Sequence, residues 1–161
     1  MRKNIRQVVE SDNVPLAKMI RAVFDEHNAP TKNTVYSDPT TDNLFKLFQI
    51  PLSVLWVAEL NDDIVGCCGV YPTDGLDKKC AELVKFYLSQ NARGKGIGKE
   101  LMQKSIESAK QFGYNQIYLE SFGEFSKAVG IYEKLGFTKL YNPLGNSGHL
   151  ACNIWMIKNL I

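Results

Sequence analysis

The sequence has no long apolar run and no strong excess of charge of either sign. A transmembrane helix needs roughly 20 consecutive apolar residues, and no such run occurs among the 161 residues. The 19 basic and 17 acidic side chains give a formal net charge of +2, which argues against a dedicated nucleic-acid-binding protein. Arg2 and Lys3 are not followed by an apolar segment, so we expect no secretory signal and a cytoplasmic location. We therefore expect neither a nucleic-acid nor a membrane partner.

Cysteine and histidine are scarce, with four and two residues respectively. No C-x-x-C pair or cysteine–histidine cluster with zinc-ligand spacing is present, so we expect no metal site. Cys67 and Cys68 are adjacent in a strand-like run, so their side chains should point to opposite faces of a sheet. We expect reduced, mostly buried thiols. A catalytic thiol would need a nearby base, and only His27 and His149 are available.

The length and composition fit one globular domain spanning residues 1–161. Hydrophobic residues make up 45% and charged residues 22%, both near the average for globular proteins. Apolar periodicity and turn residues predict alternating elements, with residues 25–43 as a loop or broken helix. The predicted strands are 5–9, 53–60, 64–71, 81–88, 116–121, 137–140 and 150–158, and the predicted helices begin near residues 11, 42, 97 and 128. This order indicates an α+β protein with a mixed sheet.

A glycine-rich turn lies between the fourth predicted strand and the strongest predicted helix. Such a turn before a helix can bind a phosphate, because glycine permits close approach and the first helical N–H groups are unpaired. Residues 93–104 carry a net charge of +3, so the small positive excess is concentrated here. A plain tight turn is the alternative. A P-loop does not fit, since Lys95 is followed by Gly96. A dinucleotide site is a further alternative, because Glu120 ends the next strand at about the separation expected of that site's acidic residue, although the upstream hairpins argue against it.

Three segments resemble the GNAT superfamily of acetyl-CoA-dependent N-acetyltransferases. Residues 93–98 (RGKGIG) match that family's R/Q-x-x-G-x-G/A signature, and residues 82–88 (ELVKFYL) look like its fourth strand. Residues 128–137 (AVGIYEKLGF) look like its A-x-x-x-Y-E-K-x-G-F segment. The resemblance implies a GNAT-like fold: a central, mostly antiparallel sheet with a splayed parallel strand pair and helices on both faces.

The resemblance also implies acetyl-CoA as the acetyl donor. Backbone N–H groups of residues 93–99 would hold its pyrophosphate, and its pantetheine arm would lie between the splayed strands that contain residues 86–88 and 117–119. The family often has Asn seven residues before the matched tyrosine. This sequence has Phe125 there, with Ser126 as a possible substitute. The expected coenzyme-binding residues are Phe86, Tyr87, Leu88, Arg93, Gly94, Lys95, Gly96, Ile97, Gly98, Lys99 and Ser126.

The same resemblance implies that Tyr132 protonates the leaving sulfur and that Glu82 is the base for the attacking amine, directly or through water. The alternatives are that Tyr132 only packs in its helix and that Glu82 is a solvated carboxylate at a strand end. Glu120 is a second candidate base. His149 is expected either near the acceptor site or, more in keeping with its sequence context, as a surface or capping residue.

The implied reaction transfers an acetyl group from acetyl-CoA to a primary amine of a small molecule, peptide or protein. We expect residues 25–50, 72–79 and 141–149 to shape the acceptor site, although composition does not reveal the shape of loops. The alternative function is a non-catalytic acyl-CoA-binding regulatory module on the same fold. A homodimer is left open as the assembly.

Overall fold

One seven-stranded sheet organises the computed structural model, which describes residues 2–161. The strands lie in the order β1-β2-β3-β4-β5-β7-β6, and every neighbouring pair is antiparallel except β4–β5. Their bounds are β1 (Lys3–Gln7), β2 (Val54–Leu60), β3 (Asp63–Tyr71), β4 (Cys80–Leu88), β5 (Gln116–Ser121), β6 (Thr138–Leu140) and β7 (Ile154–Asn159). The predicted mixed sheet with one parallel pair is confirmed.

Helices cover both faces of the sheet, as predicted. Buried residues of α1 and α2 pack on one face, and those of α3 and α4 pack on the other. The helices are α1 (Asn13–Glu26), α2 (Leu44–Leu47), α3 (Ile97–Gln111) and α4 (Ser126–Lys134). Short 3₁₀ turns occur at Glu10–Asp12, Pro39–Asn43, Gln90–Ala92 and Gly123–Phe125. Within residues 2–161, no helix has the length and apolar character needed to cross a membrane.

The cysteines follow the expectation for buried thiols. The buried residues between the sheet and α1 form one group, the α1 cluster, and those between the sheet and α3 form another, the α3 cluster. Cys67 packs in the α1 cluster and Cys68 in the α3 cluster, so the side chains of the adjacent pair do point to opposite faces. All four thiols are free, and Cys152 is the one that is only half-buried. Burial raises the pKa of Cys68 to about 12 and that of Cys80 to about 11, and it raises the pKa values of Cys67 and Cys152 as well. None of them is a ready thiolate nucleophile near neutral pH.

Two strands differ from the sequence prediction by more than one residue. The first strand covers residues 3–7 rather than 5–9. The Val8 amide still donates to the Leu55 carbonyl of β2 at 3.0 Å, and a 3₁₀ turn follows at Glu10–Asp12. The last strand begins at Ile154 rather than at residue 150. The preceding residues form a turn in which the Cys152 amide donates to the carbonyl of His149 at 3.2 Å. Side-chain alternation does not distinguish such a turn from a strand.

Candidate active site

The parallel pairing between β4 and β5 is short. It joins Cys80 to Gln116, Ala81 to Ile117 and Glu82 to Tyr118, and it does not extend further along β4. The predicted splayed pair is therefore confirmed, with residues 86–88 in the parted region. Ile117 and Tyr118 of the strand containing residues 117–119 are still paired with β4, and the two strands part beyond them. The gap opens directly after Glu82.

A β-bulge at Lys85 turns β4 within this gap. Gly69 pairs with Val84 while Cys67 pairs with Tyr87, so two residues of β4 lie opposite one residue of β3. Lys85 has a φ of +56°, a left-handed conformation that costs a non-glycine residue roughly 1–2 kcal/mol. The Cys67 thiol donates to the Lys85 carbonyl at 3.0 Å. Bulges of this kind redirect side chains beside functional sites.

Glu82 is buried at the point where the strands part, with 5% of its surface exposed. The Thr73 hydroxyl donates to its Oε1 at 2.5 Å. Burial raises the pKa of Glu82 to about 7, the charge of Glu120 adds to this rise, and Thr73 and Lys85 oppose it. Glu82 is thus not a solvated carboxylate at a strand end. A pKa near the working pH is the property that a general base needs.

Glu120, the second candidate base, has both carboxylate oxygens engaged. The Tyr118 hydroxyl donates to its Oε2 at 2.7 Å, and the Ser147 hydroxyl donates to its Oε1. The Tyr118 oxygen in turn accepts from the Leu144 amide at 3.0 Å. Glu120 therefore ties the strand to the loop before β7, and its charge raises the pKa of Glu82.

Tyr132 projects from α4 into the core on the α3 side, with 6% of its surface exposed. Its ring meets the edges of Phe86 and Phe137 at centroid distances of 6.0 and 5.8 Å. Burial, reinforced by Cys68, raises the pKa of Tyr132, and its phenol is near enough to Tyr87 to help raise that residue's pKa. The phenol is therefore protonated near neutral pH, and the raised pKa makes it a weaker acid than a free tyrosine.

The glycine-rich turn leaves an open cradle at the start of α3. Gly94 and Gly96 have φ angles of +73° and +76°, and a Cβ at either position would meet no atom within 4 Å. The Glu100 amide closes the first helical turn on the Gly96 carbonyl at 3.1 Å. The amides before it have no intrahelical partner, as at any helix start. Gly98 differs, because its Cβ would lie 2.7 Å from Leu88 Cδ1. It permits the close packing of α3 on β4, where the fully buried Ile97 anchors the turn.

Less unpaired positive charge is present at this turn than the sequence suggests. The Arg93 guanidinium forms a paired contact with Glu26 at the end of α1 and also donates to the Leu88 carbonyl at 2.9 Å. Lys95 Nζ donates to the Asn91 carbonyl at 2.8 Å. Arg93 and Lys95 therefore hold the turn in place, and Lys99 is exposed in the first turn of α3.

Phe125, at the position where the resembled family often has Asn, belongs to an aromatic cluster. Its ring lies 5.6 Å from Phe24, 5.2 Å from His27 and 6.4 Å from Tyr87, measured between centroids. Ser126 is exposed as the first residue of α4. An apolar aromatic ring thus stands where the family often has the side-chain amide of Asn. The coenzyme contact expected of Ser126 stays a prediction.

The three segments expected to shape the acceptor site meet on the α1 side of the gap. His149 Nε2 lies 3.1 Å from Asp38 Oδ2, and the Asn146 amide donates to the Asp74 carbonyl at 2.7 Å. His149 is half-buried between two loops, so the expectation of a surface or capping histidine is wrong. The long-range pair with Asp38 is what buries it.

Sequence reasoning missed four residues of this site, namely Asp38, Thr73, Lys85 and Tyr118. A signal existed for Lys85, because it shares the strand parity of the apolar Ala81 and Leu83. A lysine at a core-facing position of an otherwise apolar strand indicates a bulge or a functional charge. The others depend on pairings between distant segments. Within residues 2–161, no group of three or more His, Cys, Asp or Glu side chains is placed to hold a metal ion.

Comparison with known proteins agrees with this geometry. The sequence pattern described as the Acetyltransferase (GNAT) family matches residues 20–137. A protein of Escherichia coli K12, described as the uncharacterized N-acetyltransferase YjgM, is 32% identical over 157 residues, which cover 97% of this chain and 94% of that protein.

Two solved structures share the fold. A GNAT-family acetyltransferase from Staphylococcus aureus Mu50 superposes with a TM-score of 0.88 at 25% identity, covering 99% of this chain and 100% of that one. The PaiA N-acetyltransferase from Thermoplasma acidophilum, solved in complex with coenzyme A, has a TM-score of 0.78 at 20% identity and covers 99% of each chain. With a family match over more than half its length and a relative aligned almost end to end, this chain belongs to the GNAT family of acetyltransferases.

Proposed function

We propose that this acetyltransferase moves the acetyl group of acetyl-CoA to a primary amine, with Glu82 as the general base and Tyr132 as the general acid. One observation carries the proposal. A buried carboxyl group with a pKa of about 7 lies where β4 and β5 part, on the strand that leads into the open cradle before α3. A base and an anion site on one strand suit an acyl transfer from a phosphate-bearing donor.

The donor site follows from free backbone groups. Beyond Glu82, the edge of β4 that faces β5 has no strand partner, so an extended pantetheine arm can add to residues 83–87 as a peptide adds to a sheet edge. The open cradle at residues 94–99 then receives the pyrophosphate on unpaired amides at a helix start. The coenzyme A bound by the structurally similar Thermoplasma protein supports this assignment.

Glu82 and Tyr132 divide the two proton transfers. The amine nitrogen attacks the thioester carbon once it is neutral, and Glu82 accepts the proton that the nitrogen loses, directly or through one water molecule. The bond from carbon to sulfur then breaks, and the Tyr132 phenol donates its proton to the leaving sulfur. Solvent restores the proton of Tyr132 and removes the proton of Glu82. An N–H of the parted β4 edge can stabilise the oxyanion on the thioester carbonyl.

The test compares Glu82→Gln and Tyr132→Phe with the matched control Tyr114→Phe, a buried tyrosine outside the site whose hydroxyl donates to the Leu52 carbonyl at 2.9 Å. Release of coenzyme A from acetyl-CoA is followed with a mixed panel of primary amines. Each site variant should lower kcat by about 10²- to 10⁴-fold, the usual contribution of a general acid or base. Calorimetry should show nearly unchanged affinity for coenzyme A. Full turnover by Tyr132→Phe would remove it as the acid, and full turnover by Glu82→Gln would remove it as the base.

A further inference from the structure

Lys85 is a buried charge that the proposed reaction does not use. Only 7% of its surface is exposed, and within residues 2–161 its ammonium forms neither a hydrogen bond nor an ion pair. Burial lowers its pKa, and Asp38, Glu82 and Cys67 lie near enough to oppose that change. The one fully enclosed side-chain nitrogen or oxygen without a hydrogen-bond partner within residues 2–161 is Ser89 Oγ, so Lys85 Nζ keeps contact with solvent and an incoming ligand can reach it. An ammonium on so deeply buried a side chain has little water around it, and holding it without a charged partner is costly. Its presence therefore points to a partner that arrives with a ligand.

The bulge directs Lys85 to the acceptor side of the sheet. In an unbroken strand, Lys85 would share the face of Ala81 and Leu83, which pack in the α3 cluster. The bulge shifts the alternation, so that Phe86 joins the α3 cluster and Tyr87 the α1 cluster. Cys67, one of the groups that influence the pKa of Lys85, packs on the α1 side. Glu82 faces the same side, because its neighbours Ala81 and Leu83 pack in the α3 cluster. A strained left-handed residue thus places the ammonium on the same side as Glu82.

The acidic groups around Lys85 are already engaged by other donors. Asp38 Oδ2 faces His149 at 3.1 Å, and its Oδ1 accepts from the amide and the hydroxyl of Thr40 at 2.9 and 2.7 Å. Glu82 accepts from Thr73. Both oxygens of Glu120 have donors as well. The second oxygen of Glu82 accepts no hydrogen bond within residues 2–161, but no ion pair joins it to Lys85. The ammonium therefore has no direct protein partner, and an anion on a ligand can pair with it.

We propose that Lys85 binds a carboxylate on the amine acceptor, so that the acceptors are amino acids or related amino-carboxylates whose amine lies at Glu82. The inference rests on the proposed acetyl transfer and adds the substrate class. Lys85 contributes specificity, because an amine that lacks the anion leaves the buried ammonium unpaired.

The experiment uses pairs of acceptors that differ only in carboxylate against carboxamide, such as each amino acid and its amide. We compare kcat/KM per unprotonated amine at pH 7.5, just above the pKa of Glu82, because burial lowers the pKa of Lys85 and its ammonium must stay charged. The wild-type protein should prefer the carboxylate by about tenfold to a hundredfold, the effect of a charge-assisted hydrogen bond. Lys85→Met should abolish this ratio, Lys85→Arg should retain part of it, and the control Lys110→Met, an exposed lysine of α3 outside the three acceptor segments, should not change it.

Each contrary outcome has a separate meaning. Equal or better use of carboxamides or diamines by the wild-type protein would overturn the carboxylate proposal while leaving acetyl transfer intact, and this comparison needs no variant to fold. A ratio that survives in a folded Lys85→Met protein would remove Lys85 as the anchor. Failure of every amine to release coenzyme A would instead overturn the proposed function.

Discussion

Replacing Glu82 by glutamine should stabilise the folded protein above neutral pH while it removes activity. The folded chain holds the pKa of this carboxyl at about 7, against 4.5 for a free glutamate. Folding therefore favours the protonated form, and ionising Glu82 in its buried position costs stability. Glutamine keeps the shape and an oxygen for the Thr73 hydroxyl but does not ionise.

The size of the effect follows from the two pKa values. Below about pH 4.5 the carboxyl is protonated in both the folded and the unfolded chain, so it contributes no cost. Between pH 4.5 and 7 the carboxyl is ionised in the unfolded chain but still protonated in the folded one, so the free energy of unfolding falls by about 1.36 kcal/mol per pH unit. Above pH 7 both forms are ionised, and the total loss levels off at about 3 kcal/mol. The advantage of Glu82→Gln should therefore appear between pH 5 and 8 and then stay constant.

Urea denaturation at several pH values between 5 and 9 measures this difference. The control is Glu107→Gln, which removes a carboxylate from the exposed face of α3 and should not alter the pH dependence. A difference between the Glu82→Gln protein and the wild type that does not grow with pH would show that Glu82 titrates as an ordinary solvated carboxylate. The basis for its role as a base near neutral pH would then be lost.

Three further predictions concern the turn, the sheet and the loops. Gly96→Glu should weaken acetyl-CoA binding more than tenfold, because it places a negative charge in the cradle. The control Gly113→Glu, at another left-handed position (φ +90°) after α3, should leave the affinity unchanged, and calorimetry measures both affinities. Gly69→Ala should cost about 1–3 kcal/mol, visible as a lower Tm, because its Cβ would lie 2.5 Å from the Val54 carbonyl oxygen. His149→Ala should raise the KM of the amine and not that of acetyl-CoA, since it breaks the contact with Asp38; equal effects on both constants would contradict this.

The existence and order of the main elements were predictable because local patterns determine them. Apolar residues at helical spacing predict a helix that begins near residue 97, and α3 begins at Ile97. The strands predicted at residues 53–60 and 64–71 appear as β2 and β3, each within one residue of the predicted start.

The electrostatic state of the site was not predictable, because it depends on contacts between distant segments. Glu82 owes its pKa to burial and to Glu120, 38 positions later in the chain. The sequence alone indicates that Arg93 is a free charge, whereas in the fold its guanidinium donates to Glu26, 67 positions earlier. The lysine at a core-facing position of β4 indicates that the alternation is broken, but the position of the bulge is set by the register of β4 against β3, which one strand alone does not determine.

The most direct test of the account is the pH dependence of kcat/KM for acetyl transfer, measured for the wild-type protein and for Glu82→Gln with one good acceptor. After correction for the ionisation of the amine, kcat/KM of the wild-type protein should rise with pH and show an inflection near pH 7, the pKa of Glu82. The variant should have a kcat/KM lower by about 10²- to 10⁴-fold, without that inflection. The same inflection in the variant, at a similar rate, would contradict the claim that Glu82 is the base at the parted strands.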